Sequence, residues 1–428
     1  MISIPALYDL FLQYPQVQTD TRKINKNDLF FALKGPNFNG NIFALQALEK
    51  GAAYAIVDEQ PETANNRIVV VDNVLLILQQ LALHHRQQFN IPFLAITGSN
   101  GKTTTKELIS AVLSNHFTCY TTRGNLNNHI GIPLTILQVQ KDAQIAVIEM
   151  GANHQKEITG YCTYTLPTHG IITNCGKAHL EGFGGIDGVR KGKGELYDFI
   201  REHNGIIFMN TDYDYLWDMS KGITQRITYG TSNADIVGMI QESNSFFSVQ
   251  FTKGTHEIKH IQTQLVGDYN LPNVLCAVTV GKHFHVPEEK IKAAIEAYQP
   301  NNSRSQLMAF QNNHVILDAY NANPTSMKYA IENFAKMPGE KKVVMIGGMM
   351  ELGDESIEEH QDIVNLLQQF NWHAVILVGG DFRLVKHSYL YLNNSWEAGE
   401  WLREQNLQKA SILIKGSRSI QMEKIINP

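Results

Sequence analysis

From Phe93 onward the chain repeats one pattern, a short near-continuous apolar run followed by a stretch with helical spacing. Runs of this kind occupy residues 93–96, 145–148, 170–173 and 206–209. A strand without a polar face needs cover on both sides, and helices between strands supply it, so the alternation predicts a mostly parallel sheet wrapped by helices. A second set at 314–317, 342–346, 374–378 and 411–414 alternates in the same way and predicts a separate Rossmann-like domain. Between the two sets, residues 235–263 change period. There Ser245-Phe246-Phe247-Ser248-Val249-Gln250-Phe251 alternates, the mark of an antiparallel hairpin region.

Residues 1–90 carry shorter elements and predict a small α/β domain. Strand-like runs at 28–33 and 53–57 flank the glycine- and asparagine-rich loop Lys34-Gly35-Pro36-Asn37-Phe38-Asn39-Gly40. A helical run over 74–89 is expected to stop before Ile91-Pro92, because proline crowds the residue before it out of the helical region. Asn301-Asn302-Ser303 reads as a linker. The expected domains are therefore 1–90, 91–301 and 302–428, which suits a prior of about three domains for 428 residues.

Composition removes several classes of function. Hydrophobic residues at 43% and charged residues at 18% describe a chain able to bury a core, and no stretch is long and apolar enough to span a bilayer. A soluble globular protein without membrane insertion is expected. The net charge of -5, with lysines and arginines scattered among acids, leaves no basic footprint for nucleic acid. Phosphate binding, if present, must be local. Met1-Ile2-Ser3-Ile4-Pro5 lacks the basic and apolar regions of a secretory signal. Cys119, Cys162, Cys175 and Cys276 have no CxxC or metal spacing, which fits free thiols in a reducing cytoplasm.

The local feature with most chemistry is Thr97-Gly98-Ser99-Asn100-Gly101-Lys102-Thr103-Thr104-Thr105, directly after an apolar run. A strand that ends in a glycine turn and opens a helix aims several backbone N–H groups at one point, where the helix dipole adds positive potential. Gly98 and Gly101 permit the turn, Lys102 can neutralise phosphate charge, and Thr103 offers a hydroxyl to Mg²⁺. The glycine spacing is shorter than that of the standard eight-residue signature. A plain capped strand-helix turn would use the same glycines and threonines, but the order of strand, glycines, lysine and hydroxyl favours a nucleotide.

A magnesium-nucleotide site needs further hard oxygen ligands. Glu149 closes the run 145–148, at the carboxyl end of a strand, where such sites collect; taken alone it reads equally as a solvated strand-end acid. His179 follows another strand in Cys175-Gly176-Lys177-Ala178-His179 and is open between ligand and surface histidine. Lys191-Gly192-Lys193-Gly194-Glu195 reads either as an exposed basic patch or as a phosphate contact.

Taken together, these pieces resemble the Mur ligases, ATP-dependent amide-forming enzymes of peptidoglycan precursor synthesis. The resemblance covers nearly the whole chain. Besides the glycine turn it is carried by Asp20-Thr21-Arg22, Phe31-Ala32-Leu33-Lys34-Gly35 with Asn37-Phe38-Asn39-Gly40, Gly124-Asn125-Leu126-Asn127-Asn128 and Glu149-Met150-Gly151-Ala152-Asn153. Further on come Lys193-Gly194-Glu195, Tyr320-Asn321-Ala322-Asn323-Pro324-Thr325-Ser326-Met327, Gly348-Met349-Met350-Glu351-Leu352-Gly353 and Lys415-Gly416-Ser417-Arg418. The shortened glycine spacing is the form this family uses.

The resemblance implies an α/β protein of three domains: a central parallel-sheet P-loop ATPase flanked by a small N-terminal α/β domain and a C-terminal Rossmann-like domain. It implies that Gly98, Asn100, Gly101, Lys102, Thr103 and Thr104 hold ATP, and that Thr103, Glu149, His179 and Lys193 serve Mg²⁺. Lys193 matches a lysine that family members carry as a carbamate. Lys102, Lys193, His179 and Asn125, the last near the γ-phosphate, form the implied catalytic set. Asn270 and Asn273 sit where the family contacts adenine, and Arg304 with Asp318 would reach the nucleotide from the third domain. Thr21, Arg22, Asn37, Asn39, Asn321 and Asn323 are the implied substrate contacts. The implied partners are small molecules, UDP-N-acetylmuramoyl-tripeptide and D-alanyl-D-alanine, acted on by a monomer.

Departures from the family pattern are few. Asp20-Thr21-Arg22 stands where Asp-Ser-Arg is usual and keeps the hydroxyl, and Tyr269 stands where histidine is common. Lys191 precedes Lys193 by two residues; Lys193 is chosen because Gly194-Glu195 follows it. The family member that adds the third amino acid carries an Asn-Pro-Arg motif near Asn321-Ala322-Asn323-Pro324-Thr325-Ser326, and no such arginine is present here. Folylpolyglutamate synthase shares the central and C-terminal plan but lacks an N-terminal UDP domain. A nucleotide-binding regulator that lost amide synthesis would not need Glu149, His179 and Lys193 together.

Overall fold

The computed structural model describes residues 2–61, 64–241 and 246–427. Ser245, the first residue of the alternating run, lies outside the described residues. The chain divides into two compact units, one of Met1–Ile96, Phe117–Ala152 and Lys156–Gly170, the other of Thr97–His116, Asn153–Gln155 and Ile171–Pro428. This division runs through strands Phe93–Thr97 and His169–Ile172 rather than through linkers, so it is a different partition from the domains read in the sequence.

In the first unit, strands Val17–Gln18, Leu29–Phe31, Tyr54–Val57 and Ile68–Val70 lie in that order and pair in parallel. Phe30, Ala32, Ala55 and Val57 pack with Ala44, Ala47, Leu48 and Ala52 in the core below them. The small alanines let the helix Ala44–Glu49 lie close to the strands. The loop after Leu29–Phe31 is itself structured: Lys34–Gly35 pairs antiparallel with Phe38–Asn39. Helix Val74–Arg86 starts at Asn73, whose side chain accepts from the Leu76 N–H. It ends earlier than the sequence pattern suggested, at Arg86, whose buried guanidinium caps Thr165 O, Phe89 O and Leu166 O instead of facing solvent. The same unit holds Cys119–Thr121, Ile145–Glu149 and residues 93–96, parallel in that order.

In the second unit, strands Ile206–Asn210, Gln225–Gly230 and Ile236–Gln241 pair in parallel. The ladder then turns antiparallel through Ser248–Lys253 and His260–Gln262, as the alternating residues indicated. Further along the chain, a six-stranded sheet has the order Gln306–Phe310, Asn313–Asp318, Ser411–Lys415, Lys342–Gly347, Ala374–Val378, Leu390–Leu392. Only its first pair is antiparallel. Val315, Val343, Ile376, Ile412 and Ile414 are completely buried in its core, and each such side chain contributes roughly 1.5–3 kcal/mol. Among the described residues, no helix is long and apolar enough to cross a membrane.

Candidate functional site

The strand Phe93–Thr97 is buried along its whole length and delivers the chain into a turn with Gly98 at φ +143° and Gly101 at φ +80°. Both glycines are required twice over. A Cβ on Gly98 would lie 2.0 Å from Thr173 Oγ1, and one on Gly101 would lie 2.7 Å from Asn273 Oδ1, in conformations that L residues rarely adopt. Helix Lys102–Ser114 begins directly at Lys102. Its Nζ donates to Gly98 O at 2.6 Å and Ser99 O at 3.1 Å, which holds the ammonium over the turn. Thr103 is buried in the first helical turn. The result is a glycine turn at a helix N-terminus with an ammonium held over it and a buried hydroxyl in the first helical turn, an arrangement suited to phosphate.

The loop after strand His169–Ile172 locks this turn from the side. Ser99 N–H donates to Asn174 O, Asn100 N–H to Asn174 Oδ1, Thr173 Oγ1 to Asn100 O at 2.6 Å and Ser99 Oγ to Gly176 O. The same loop grips the C-terminal part of the unit. Lys177 N–H donates to Thr325 Oγ1, and Lys177 Nζ pairs with Glu359 at 2.5 Å. Asn323, which caps helix Pro324–Lys336, also donates directly to Asn100 Oδ1 at 2.8 Å. Of the residues expected at the nucleotide and substrate, Gly98, Asn100, Gly101, Lys102 and Asn323 therefore meet at one place.

Asn270 and Asn273 are nearly fully buried and bonded to each other, Asn273 Nδ2 to Asn270 Oδ1 at 2.8 Å. Asn273 Oδ1 also accepts from Thr105 Oγ1, so this side chain braces the first turn of the helix. Asp318 and Lys415 share a level in the parallel register at a strand end, and Lys415 Nζ donates to Asp318 Oδ2 at 2.6 Å. Lys415 reaches Asn321 O as well, and Asn321 Oδ1 accepts from Ala322 N–H. The Arg304 guanidinium stacks 3.5 Å from the centroid of Tyr320.

Lys193 is 1% exposed, whereas Lys191 lies at the surface. The Lys193 ammonium lies 4.7 Å from the centroid of Phe183. His179 has φ +54° and pairs through Nδ1 with Glu351. The His179 ring beside Glu351 holds that carboxyl below its ordinary value. In the first unit, Glu149 is buried at the end of its strand and accepts from Asn127 Nδ2 at 2.8 Å. Asn127 N–H in turn donates to Asn125 O.

Among the described residues, no three His, Cys, Asp or Glu side chains gather as a ready-made metal site. Mg²⁺ is commonly held by one or two carboxylates together with phosphate oxygens and waters. Each taken by itself, the buried carboxylate of Glu149 in the first unit and the hydroxyl of Thr103 in the second are hard oxygen donors of a kind that fits such a cation. The imidazole of His179 is a softer donor.

At the other expected site, the Arg22 guanidinium grips Asp20 with three hydrogen bonds, Nε to Oδ1 at 2.9 Å and to Oδ2 at 3.2 Å, and Nη2 to Oδ2 at 2.8 Å. Thr21 O accepts from Lys50 Nζ. Asn39 Nδ2 donates to both oxygens of Glu59, Lys34 pairs with Asp58 and Glu59, and Asn37 is exposed at the tip. Asp58 also accepts from Asn41 Nδ2 and from Val74 N–H. Sequence reasoning missed Asp58, Glu59, Thr173, Asn174, Thr325 and Glu359. Only Thr173, in the apolar run 170–173, and Thr325, in the motif 320–327, lay within quoted stretches as bystanders, and nothing local marked the others.

Three family descriptions match the chain: "Mur ligase family, catalytic domain" over 13–86, "Mur ligase middle domain" over 96–281 and "Mur ligase, glutamate ligase domain" over 303–418. The UDP-N-acetylmuramoyl-tripeptide--D-alanyl-D-alanine ligase of Escherichia coli is 34% identical, across 96% of this chain and 92% of that protein. That of Bacillus subtilis is 32% identical with the same coverage of each. Among solved structures, MurF from Acinetobacter baumannii superposes with a TM-score of 0.88 at 32% identity, covering 96% of this chain and 92% of that one. MurF ligase from Thermotoga maritima in complex with ADP gives 0.86 at 25% identity, covering 98% and 97%.

Proposed function

The chain belongs to the Mur ligase family, and on that premise we propose that it is an ATP-dependent ligase joining D-alanyl-D-alanine to UDP-N-acetylmuramoyl-tripeptide. The observation that carries the reading is the junction at Asn100, where the phosphate loop is bonded to Asn174 on one side and to Asn323 on the other. A loop built for phosphate is thereby tied to the segment expected at the peptide substrates.

In this reading the terminal carboxylate of the tripeptide attacks the γ-phosphoryl group of ATP, giving an acyl phosphate and ADP. The amine of D-alanyl-D-alanine then attacks the acyl carbon, phosphate leaves, and the amide forms. Negative charge develops on phosphoryl and acyl oxygens in both steps. Lys102 and the N–H groups of the turn, already fixed before reaction, stabilise it without reorganisation. Magnesium, when bound with the nucleotide, would neutralise phosphate charge and polarise the γ-phosphoryl group. Thr103, Glu149, His179 and Lys193 are the residues assigned to hold it, with Lys193 as its carbamate and Asn125 near the γ-phosphate. An unprotonated lysine amine adds CO₂ to give that anion, which a bound divalent cation would stabilise.

Arg304 and Asp318 approach the nucleotide, and Asn270 and Asn273 lie on its adenine side, where Asn273 also braces the loop. Thr21, Arg22, Asn37 and Asn39 take the UDP end, and Asn321 and Asn323 the peptide end. We assign the domains to 1–90, 91–301 and 302–428, and the protein to the cytoplasm as a monomer in peptidoglycan and cell-wall synthesis. An omission assay tests the reading: phosphate release should require ATP, UDP-N-acetylmuramoyl-tripeptide and D-alanyl-D-alanine together. Equal release without the dipeptide would reject it.

A further inference from the structure

The helix that opens at Lys102 carries a second anchoring point. Glu107, on the same helix, accepts from Tyr298 Oη at 2.5 Å and from Asn302 Nδ2 at 2.9 and 3.1 Å. Tyr298 follows helix Glu288–Ala297, and Asn302 lies in the segment that reads as the linker. A carboxylate taking three contacts from two neutral donors makes charge-assisted hydrogen bonds, stronger than neutral ones. Burial pushes the Tyr298 hydroxyl up, and the Glu107 charge pushes it further in the same direction, so the phenol stays a donor.

Immediately after Asn302 the backbone takes an uncommon path. Ser303 and Ser305 are non-glycine residues at φ +56° and +50°, with Arg304 between them. Conformations of this kind persist only where the surroundings fix them. On the far side they are fixed by Ala319 and Tyr320 N–H to Ser303 O, by Ser305 N–H to Asp318 Oδ1, and by the Ser305 hydroxyl with Tyr269. On the near side the fixing group is Glu107. Arg304 is therefore clamped between an element that starts at the phosphate loop and the strand that ends in Asp318.

We propose that Glu107 is a positioning residue that holds the linker, through Tyr298 and Asn302, in the register that aims Arg304 at the nucleotide. The proposal rests on the nucleotide reading of the site but not on which amide is formed. Nothing in the mechanism needs Glu107 to touch ATP, since its carboxylate is occupied by the linker.

The test is a double-mutant cycle read by ATP binding in the presence of magnesium chloride, with the full chain. Glu107→Ala should weaken ATP binding about tenfold, within the range of coupled neighbours, and Arg304→Ala by a similar factor. The double variant should bind no more weakly than Arg304→Ala alone, because the contribution of Glu107 passes through Arg304. Asn302→Ala should move binding in the same direction by about threefold, the size expected for one hydrogen bond, and it repeats the cycle if Glu107→Ala does not fold. Glu107→Gln, with the shape kept and the charge removed, should lie between wild type and Glu107→Ala. Wild-type ATP affinity in Glu107→Ala, or a double variant weakened by the product of the two single factors, would overturn the proposal. A failure of D-alanyl-D-alanine-dependent phosphate release in the wild type would instead count against the functional reading, since coupling is read from binding alone.

Discussion

The phosphate loop and the hairpin of residues 34–39 both follow a fully buried strand, yet they are held in different ways. The phosphate loop is gripped by neutral side chains and backbone from three distant stretches, through Thr173, Asn174, Asn273 and Asn323. Its two glycines leave no room for a methyl group. The hairpin is held by charged partners at its rim, Lys34 and Asn39 against Asp58 and Glu59, and presents Phe38 and Asn37 outward. The contrast matches the ligands proposed for each. A triphosphate has fixed charge and shape, so a rigid cradle loses little entropy on binding it. A larger substrate with a flexible peptide is better met by exposed groups that can adjust.

If the comparison is right, substitutions in the phosphate loop should be far more damaging than those at the hairpin side. Lys102→Met should cause the largest loss, roughly 10³-fold in phosphate release, with the melting temperature little changed, since it removes a group acting on developing charge. Gly98→Ala should come next. Its Cβ would lie 2.0 Å from Thr173 Oγ1 at φ +143°, and strain of this size in the cradle should weaken ATP binding about 100-fold by calorimetry. Asn323→Ala, which severs the bond to Asn100, should lower turnover about tenfold, as expected for a hydrogen bond that sets alignment. Arg22→Ala should leave ATP binding intact and raise KM for the UDP substrate by several-fold, on the order of one exposed polar contact.

The smallest effect sharpens the electrostatic half of the comparison. The side-chain hydrogen bonds from Arg22 hold Asp20 at about 2, down from an ordinary 3.8. A depressed carboxyl pKa means that the contribution of the pair is complete above the ordinary value and is lost as pH falls toward the depressed one. Arg22→Ala should therefore raise the Asp20 carboxyl titration toward 3.8 in a ¹³C-detected experiment, part of the way because the residue 22 N–H still donates to Asp20 Oδ1, and the stability lost at neutral pH should be no more than that of an exposed ion pair.

The strands Phe93–Thr97, Ile145–Glu149, His169–Ile172, Ile206–Asn210, Asn313–Asp318, Lys342–Gly347, Ala374–Val378 and Ser411–Lys415 were readable because Val, Ile and Leu runs buried on two faces leave a continuous apolar signature. Gln225–Gly230 escaped because Gln225 and Arg226 face solvent, and Leu390–Leu392 because an edge strand of three residues carries almost no period. The hairpin at 34–39 was hidden for a related reason, since two residues per strand cannot alternate. At the site, the glycines, Lys102 and Asn323 were legible through local motifs. The partners that fix them were not. Thr173 meets Asn100 across 73 positions, Glu359 meets Lys177 across 182, and Glu107 meets Asn302 across 195. Such pairs arise from strand order and helix packing, which a single sequence does not encode locally. Burial separates Lys193 from Lys191, whose sequence surroundings are nearly alike.

The most direct test of the central claim follows oxygen through the reaction. With the terminal carboxylate of UDP-N-acetylmuramoyl-tripeptide labelled with ¹⁸O, and ATP and D-alanyl-D-alanine supplied, each phosphate released should carry one ¹⁸O from that carboxylate, because the acyl phosphate breaks at its acyl carbon. Phosphate bearing only solvent and nucleotide oxygen would mean that the loop at Lys102 hydrolyses ATP without activating a carboxylate, and the ligase account would be wrong.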